Sequence, residues 1–472
     1  MKREKRLLIN TIILSFGSVF PKSVTFLILP ILTAALTKAE YGTYDLVLTS
    51  TSFIVPIFSL LIEQAVFRVL LDAKTEIERK KIITNSLVYI LACSFLLFIV
   101  TSLIVQQLKI EFCISISIYM VLNLYYRYTL QICRGLGFLK KYSLSSIINS
   151  FLNLFLILLF IKWIDYGLYG LLIALNVSIL VATLYSIFSI SLTKYFSKTL
   201  YDWNYIKKLL IYSAPLLPNT LSWWVVSVSD RWIITIFLGV EMTAIYAIAN
   251  KIPSMFNLVY NNFNLAWQES ASTTVSDDDM ADYYTNIFNH MFNFLVGILL
   301  ILITTSPILF KVFVDESYYL AYYQMPVLFL AMFFNSFAAY YGGIYVALKK
   351  TKNIGLSSLI AALLNIVMNL LFINKIGLYA ASFSTLLAYF TLTMYRAIDL
   401  QQLIKIRYSY TKILAVVLFL GIVSWMNHAN IYYLNIVTFI VSIVVAITLN
   451  KSLLNRVFKN VLKKYFKKSN IY

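Results

Sequence analysis

Charge is scarce in this sequence. Only 12% of its 472 residues are Asp, Glu, Lys or Arg and 60% are hydrophobic, whereas an ordinary soluble domain carries about 25% charge. No polar stretch between the apolar runs is long enough to fold as a soluble domain. A soluble metabolic enzyme and a disordered regulator are therefore excluded, and the chain must fold inside a bilayer. Cysteine is limited to Cys93, Cys113 and Cys133, all within or at the ends of apolar runs. An odd number at such places is no disulfide framework, which excludes a secreted stapled scaffold and leaves redox chemistry without a site. Histidine is limited to His290 and His428, too few for a metal-ligating or catalytic cluster. No glycine-rich phosphate loop is present, so neither nucleotide hydrolysis nor a bound cofactor is expected. Acidic residues number 20 against 39 Lys and Arg, a net charge of +19. Nucleic acid is not the expected partner, because that reading needs a basic face on a soluble domain and here the basic residues sit between apolar runs.

Long apolar runs are abundant. A stretch of about 20 apolar residues crosses the hydrocarbon core as a helix, and fourteen are present, approximately 7–36, 41–68, 82–106, 113–133, 142–163, 167–193, 209–238, 243–270, 287–313, 325–348, 354–374, 377–399, 413–426 and 431–450. None alternates apolar with polar residues as a barrel strand does, so the predicted fold is an all-α polytopic membrane protein. With the N-terminus on the cytoplasmic side, 30 of the 39 Lys and Arg fall in inside segments and only Lys38, Lys109, Lys162, Lys311 and Lys375 fall outside. Basic residues resist translocation, so this bias puts both termini inside and requires an even number of spans. The basic start Met1 to Arg6 has the look of a signal peptide, but the apolar run of about 30 residues exceeds an h-region and no persuasive cleavage site follows.

The chain also repeats itself. Leu144-Ser145-Ser146, Leu152-Asn153, Leu159-Phe160-Ile161 and Gly167-Leu168-Tyr169 recur as Leu356-Ser357-Ser358, Leu364-Asn365, Leu371-Phe372-Ile373 and Gly377-Leu378-Tyr379. Spans five and six thus match spans eleven and twelve in the same orientation, and more weakly 41–44 resembles 243–246. Parallel repeats are a transporter architecture with the substrate site between the halves near the midplane. All eight prolines lie in or at the edges of spans, six of them (Pro21, Pro30, Pro56, Pro215, Pro218 and Pro253) in spans one, two, seven and eight. Proline bends a helix and frees a carbonyl, which fits helices that line a cavity and move.

Four cations, Lys22, Arg127, Arg231 and Lys251, fall inside predicted spans, where each costs about 2.5 kcal/mol or more on insertion scales. At about 1.5 Å of rise per residue, Lys22 is near mid-depth, Arg231 and Lys251 are in the outer part of their spans, and Arg127 is somewhat inward of centre. Intramembrane carboxylates are Asp45 near an outer end, Glu63 and Glu269 toward inner ends, and Asp230 beside Arg231. A cationic excess at that depth favours an anionic substrate, bound by Lys22, Arg231, Lys251 and Arg127. Each could instead be a snorkelling or carboxylate-paired residue. Asp230 and then Glu63 are the candidates for coupling to a sodium or proton gradient; a structural ion pair is the competing role for either.

At these residues the chain resembles a known family. Ser213-Ala214-Pro215-Leu216-Leu217-Pro218, Ser229-Asp230-Arg231-Trp232-Ile233-Ile234, Phe237-Leu238-Gly239, Ile245-Tyr246 and Lys251-Ile252-Pro253, with Leu29-Pro30-Ile31-Leu32-Thr33 and Glu40-Tyr41-Gly42, are similar to the signature of polysaccharide-biosynthesis flippases. These share a superfamily with multidrug extruders and lipid II flippases. The resemblance implies a non-enzymatic protein of the bacterial cytoplasmic membrane. It would translocate an undecaprenyl-pyrophosphate-linked oligosaccharide unit for O-antigen or capsule by alternating access. The implied partners are the lipid-linked anionic glycan, membrane lipids and the polysaccharide polymerase and chain-length machinery. The implied layout is two six-helix lobes, 1–198 and 199–408, with two appended helices at 409–450. After them, 451–472 carries apolar residues at helical spacing with basic residues on other faces, the pattern of a helix lying on an anionic inner leaflet. A cation-coupled drug extruder should offer acidic residues and a lipid II flippase would act on a related substrate. A membrane glycan polymerase or ligase would need a large outside loop, and the outside loops are short.

Overall fold

The computed structural model describes residues 2–107, 112–275, 277–428, 431–451 and 455. The expected basic helix at 451–472 lies almost wholly outside these residues. Every regular element among them is helical: α1 Lys2–Ala35, α2 Lys38–Ser59, α3 Ile62–Asp72, α4 Glu76–Gln107, α5 Cys113–Gly135, α6 Leu139–Ile157, α7 Gly167–Ile190, α8 Trp203–Ser213, α9 Leu217–Leu238, α10 Val240–Thr273, α11 Met280–Phe313, α12 Met325–Ala347, α13 Thr351–Ile376, α14 Leu378–Gln401, α15 Tyr410–His428 and α16 Tyr432–Leu449. Among the described residues, eight helical stretches are long and apolar enough to cross a membrane, or nine when α2 and α3 are counted as one bent span. Phe95 and Phe188 on α4 and α7 are 70% and 75% exposed, and such large apolar surfaces are stable only against lipid. The protein is thus a multi-pass helical membrane protein.

Local chemistry explains the breaks. Thr37 and Glu40 form a reciprocal capping box at the start of α2, satisfying two backbone donors. Between α2 and α3 the axis turns by 60°, because Leu60 and Leu61 both adopt positive φ. The groups freed by that turn are recovered by side chains: Cys93 Sγ donates to the Phe58 carbonyl at 3.2 Å and the Leu61 amide donates to Ser59 Oγ at 3.1 Å. Pro215 and Pro218 bracket the joint where α8 passes through a short 3₁₀ turn into α9. At Gly42 an added Cβ would overlap the Val240 carbonyl, so α2 and the start of α10 approach at a distance only glycine permits.

The chain forms two compact units, Met1–Ala244 and Ile245–Tyr472. In the first, α6 packs between α1 and α7, α5 contacts α3, α4 and α7, and α9 lies against α2. The connection from α7 to α8 is fastened to the N-terminal part of α4. Asn85 donates to the Leu200 carbonyl at 2.9 Å and accepts from the Asp202 amide at 2.7 Å. Thr84 donates to the Tyr195 carbonyl and accepts from the Ser197 amide. Lys81 meets Asp202 at 3.0 Å and holds its carboxyl below the usual carboxylate range. In the second unit α14 packs against α12 and α13, and α11 packs against α15 and α16. Asn293 of α11 accepts Lys412 Nζ on its side chain at 2.7 Å and Asn450 Nδ2 on its carbonyl at 3.0 Å, gripping both C-terminal helices.

The repeated sequence corresponds to a repeated contact. Ser186 and Arg396 stand equally far after Gly167 and Gly377. In the first unit Ser186 donates to Ser145 at 2.8 Å; in the second Arg396 Nε donates to Ser357 at 3.0 Å. Each copy therefore joins its two helices through the first serine of the Ser-Ser pair. Arg396, 5% exposed, further donates to the Ala338 carbonyl at 2.6 Å and to Ser358 at 3.0 Å. It ties α12, α13 and α14 together.

Candidate functional site

Three of the four predicted cation sites, Lys22, Arg127 and Arg231, belong to the first unit, and Lys251 belongs to the second. Lys22 is exposed on α1, next to Pro21, whose carbonyl accepts Thr25 Oγ1 at 3.1 Å. Lys251 is half-buried on α10, one turn before Ser254, which donates to its carbonyl at 2.6 Å.

Arg231 is engaged within its own unit. Its Nε lies 2.6 Å from Asp45 Oδ2, with the two side chains only 12% and 4% exposed, and its Nη1 reaches the Ser227 carbonyl at 3.3 Å. Two turns earlier on α9, Trp224 Nε1 donates to the Thr49 carbonyl and to Ser52 Oγ, both at 3.0 Å, while its ring packs on Phe53 with centroids 4.3 Å apart. Positions thus advance along α9 as they recede along α2, which is the antiparallel arrangement expected of an odd and an even span. The C-terminal end of α9 is closed by Thr235 and Thr243, 2.7 Å apart across the Gly239 turn. Asp230, 2% exposed, is buried on the same helix.

Glu63 and Arg127 form a second charged pair of positions. Glu63 sits in the first turn of α3, directly after the bend, and is 3% exposed. Carboxylates are favoured there by the helix dipole. Ser59 at the end of α2 and Arg127 of α5 are polar neighbours of this carboxylate. Glu63 Oε2 and Arg127 Nη1 are both buried without a hydrogen-bond partner among the described residues. The sequence assigned Glu63 to coupling and Arg127 to substrate; the structure brings the two under each other's field. Among the described residues, no group of three or more His, Cys, Asp or Glu side chains could hold a metal ion.

Asp45 and Trp224 were not selected from the sequence. Asp45 had a usable signal, since its depth near the outer end of span two matches that of Arg231 in span seven. Trp224 had none, because an indole in an apolar run is equally at home facing lipid.

Several solved structures share this fold. A multidrug resistance MATE family transporter of the MOP superfamily, in an inward-facing conformation, aligns with TM-score 0.69 at 12% identity over 84% of this chain and 98% of its own. The lipid II flippase MurJ in an inward closed conformation aligns with TM-score 0.66 at 14% identity over 96% and 100%. A MOP superfamily transporter from Pyrococcus furiosus, described as having a binding pocket of reverse polarity, aligns with TM-score 0.57 at 14% identity over 83% and 95%. At such identities the likeness is one of fold. No curated protein matches the sequence. The family model for polysaccharide biosynthesis proteins matches residues 7–267, more than half of the chain and every one of the four intramembrane cations, and the chain belongs to that family.

Proposed function

We propose that this protein is a flippase that carries an undecaprenyl-pyrophosphate-linked oligosaccharide unit across the bacterial cytoplasmic membrane for O-antigen or capsule assembly, by alternating access. Membership of the family supplies the general function, transport of a lipid-linked glycan or related substrate without covalent catalysis. The observation that carries the finer reading is the placement of Lys22, Arg127, Arg231 and Lys251 in apolar helices that the family model spans. Cations at such depth are costly, and a pyrophosphate would be held by them through strong Coulomb attraction in a low-dielectric space. Fourteen crossings with both termini cytoplasmic, lobes at 1–198 and 199–408, and appended helices at 409–450 complete the proposal. Polymerase and chain-length proteins would receive the product. Asp230 and Glu63 are the carboxylates through which a sodium or proton gradient would act.

A second reading, a cation-coupled drug extruder, is favoured by the buried carboxylates Asp45, Glu63 and Asp230 in the first unit. Against it, Asp45 is already neutralised by Arg231 and Glu63 lies in the field of Arg127. The deciding experiment offers the purified protein in proteoliposomes either a lipid-linked oligosaccharide, scored by a glycosidase outside the vesicle, or a cationic dye. Protein-dependent exposure of the glycan without dye movement is expected. Dye movement without glycan exposure would overturn the assignment.

A further inference from the structure

A surface groove of about 760 Å³ opens in the second unit where the end of α11, the helical strap Glu316–Gln324 and the start of α16 meet. Its lining combines apolar Ile308 and Phe439 with a rim of Lys311, Glu316, Tyr319 and Asn435. Lys311 is in the last turn of α11 and Asn435 in the first turn of α16, so the rim lies at helix ends. At about 1.5 Å of rise per residue, Ile308 and Phe439 lie roughly 5 Å deeper. The strap packs Tyr319 and Tyr322 against Phe310 with ring centroids 6.2 and 5.7 Å away, the amphipathic aromatic belt found at headgroup level. In a bilayer such a groove is filled by lipid. What the rim adds is selectivity. Lys311 and Glu316 are both exposed, and no ion pair between described residues involves either. Asp315 places a second carboxylate next to Glu316 in the chain. A purely anionic headgroup would gain Lys311 and meet repulsion from the carboxylates, whereas a headgroup with a phosphate and an ammonium matches both signs.

We propose that this groove binds a zwitterionic phospholipid, with the phosphate on Lys311, the ammonium at Glu316 and the Tyr319 ring, and an acyl chain along Ile308 and Phe439. A cation over a tyrosine face adds to the ammonium contact. The test uses the full chain in nanodiscs of equal phosphatidylethanolamine and phosphatidylglycerol, with the retained lipids counted by native mass spectrometry. Phosphatidylethanolamine should be retained in preference by roughly tenfold, the scale of one charge-assisted contact. Glu316→Lys should reverse that preference. Ile308→Trp, which fills the apolar part of the groove, should lower the number of phosphatidylethanolamine molecules retained. Because lipids are counted per protein molecule, differences in yield cancel. Equal retention by the unaltered chain, an unchanged ratio in Glu316→Lys, or full retention in Ile308→Trp would each overturn the site.

Discussion

Removing the Asp45 charge tests how α9 is held to the first unit. In Asp45→Asn the Arg231 guanidinium stays in place, 12% exposed, but loses the carboxylate that compensates it. Leaving one member of a buried ion pair unpaired costs about 3–5 kcal/mol, and for a unit of this size that corresponds to a drop on the order of 10 °C in Tm. The pair itself, weighed against apolar residues of similar volume, is worth far less. The double variant Asp45→Asn/Arg231→Met should therefore recover most of the loss, so that the two single losses are far from additive in the double-mutant cycle. Thermal unfolding in detergent, followed by the fraction eluting as monodisperse protein, gives the four corners of the cycle. Single variants that each lose under about 1 kcal/mol, or losses that simply add, would show that the 2.6 Å contact contributes nothing and would refute the reasoning. The cycle also separates folding from transport. If the double variant is stable and still exports no glycan, Arg231 has a second role toward substrate.

Lys22→Ala and Lys251→Ala should abolish surface glycan at unchanged protein level and insertion, and normal glycan in both would remove them from the substrate path. Asp230→Asn and Glu63→Gln should weaken the dependence of flipping on an imposed sodium, proton or voltage gradient, where 100 mV is worth about 2.3 kcal/mol per charge; unchanged gradient dependence in both leaves the carboxylates structural. Arg396→Met strands the Ala338 carbonyl and two serines and should cost about 3 kcal/mol or more. Arg396→Lys, which keeps the charge but not the fork, should fall between, and wild-type thermal stability in either would dismiss the network.

Much of the fold is legible in the sequence because the bilayer imposes a length. Among the described residues every regular element is helical, as the apolar runs predict, and eight of these stretches, or nine with α2 and α3 taken as one bent span, are long and apolar enough to cross a membrane. The bend after α2 is not legible: Leu60 and Leu61 carry no glycine or proline signal, and their left-handed geometry is imposed by the packing around them. The candidate site is half legible. Counting residues at a fixed rise assigns each charge an expected depth, but azimuth and neighbour do not follow from it, so Arg231 could be placed without its partner. Arg396 shows the same limit. At the end of a span it reads as one more inside cation, yet it is buried among three helices because Ser357 and Ser358 receive it.

The fastening of the α7–α8 connection to α4 bears on how this gene can be cut and spliced. The stretch from Tyr195 to Asp202 contains the seam that a sequence repeat suggests between halves, and seams are where reporters, affinity tags and protease sites are usually inserted. Tolerance of an insertion depends on the hydrogen bonding of the backbone it displaces. Here the Tyr195, Ser197, Leu200 and Asp202 backbone groups are all taken by Thr84 and Asn85, which are themselves fully buried. A tag placed there would pull the N-terminal part of α4 loose, and a protease would find few scissile bonds. If the two compact units are expressed as separate polypeptides, the break belongs after Ala244, so that the N-terminal fragment keeps both this clasp and α9.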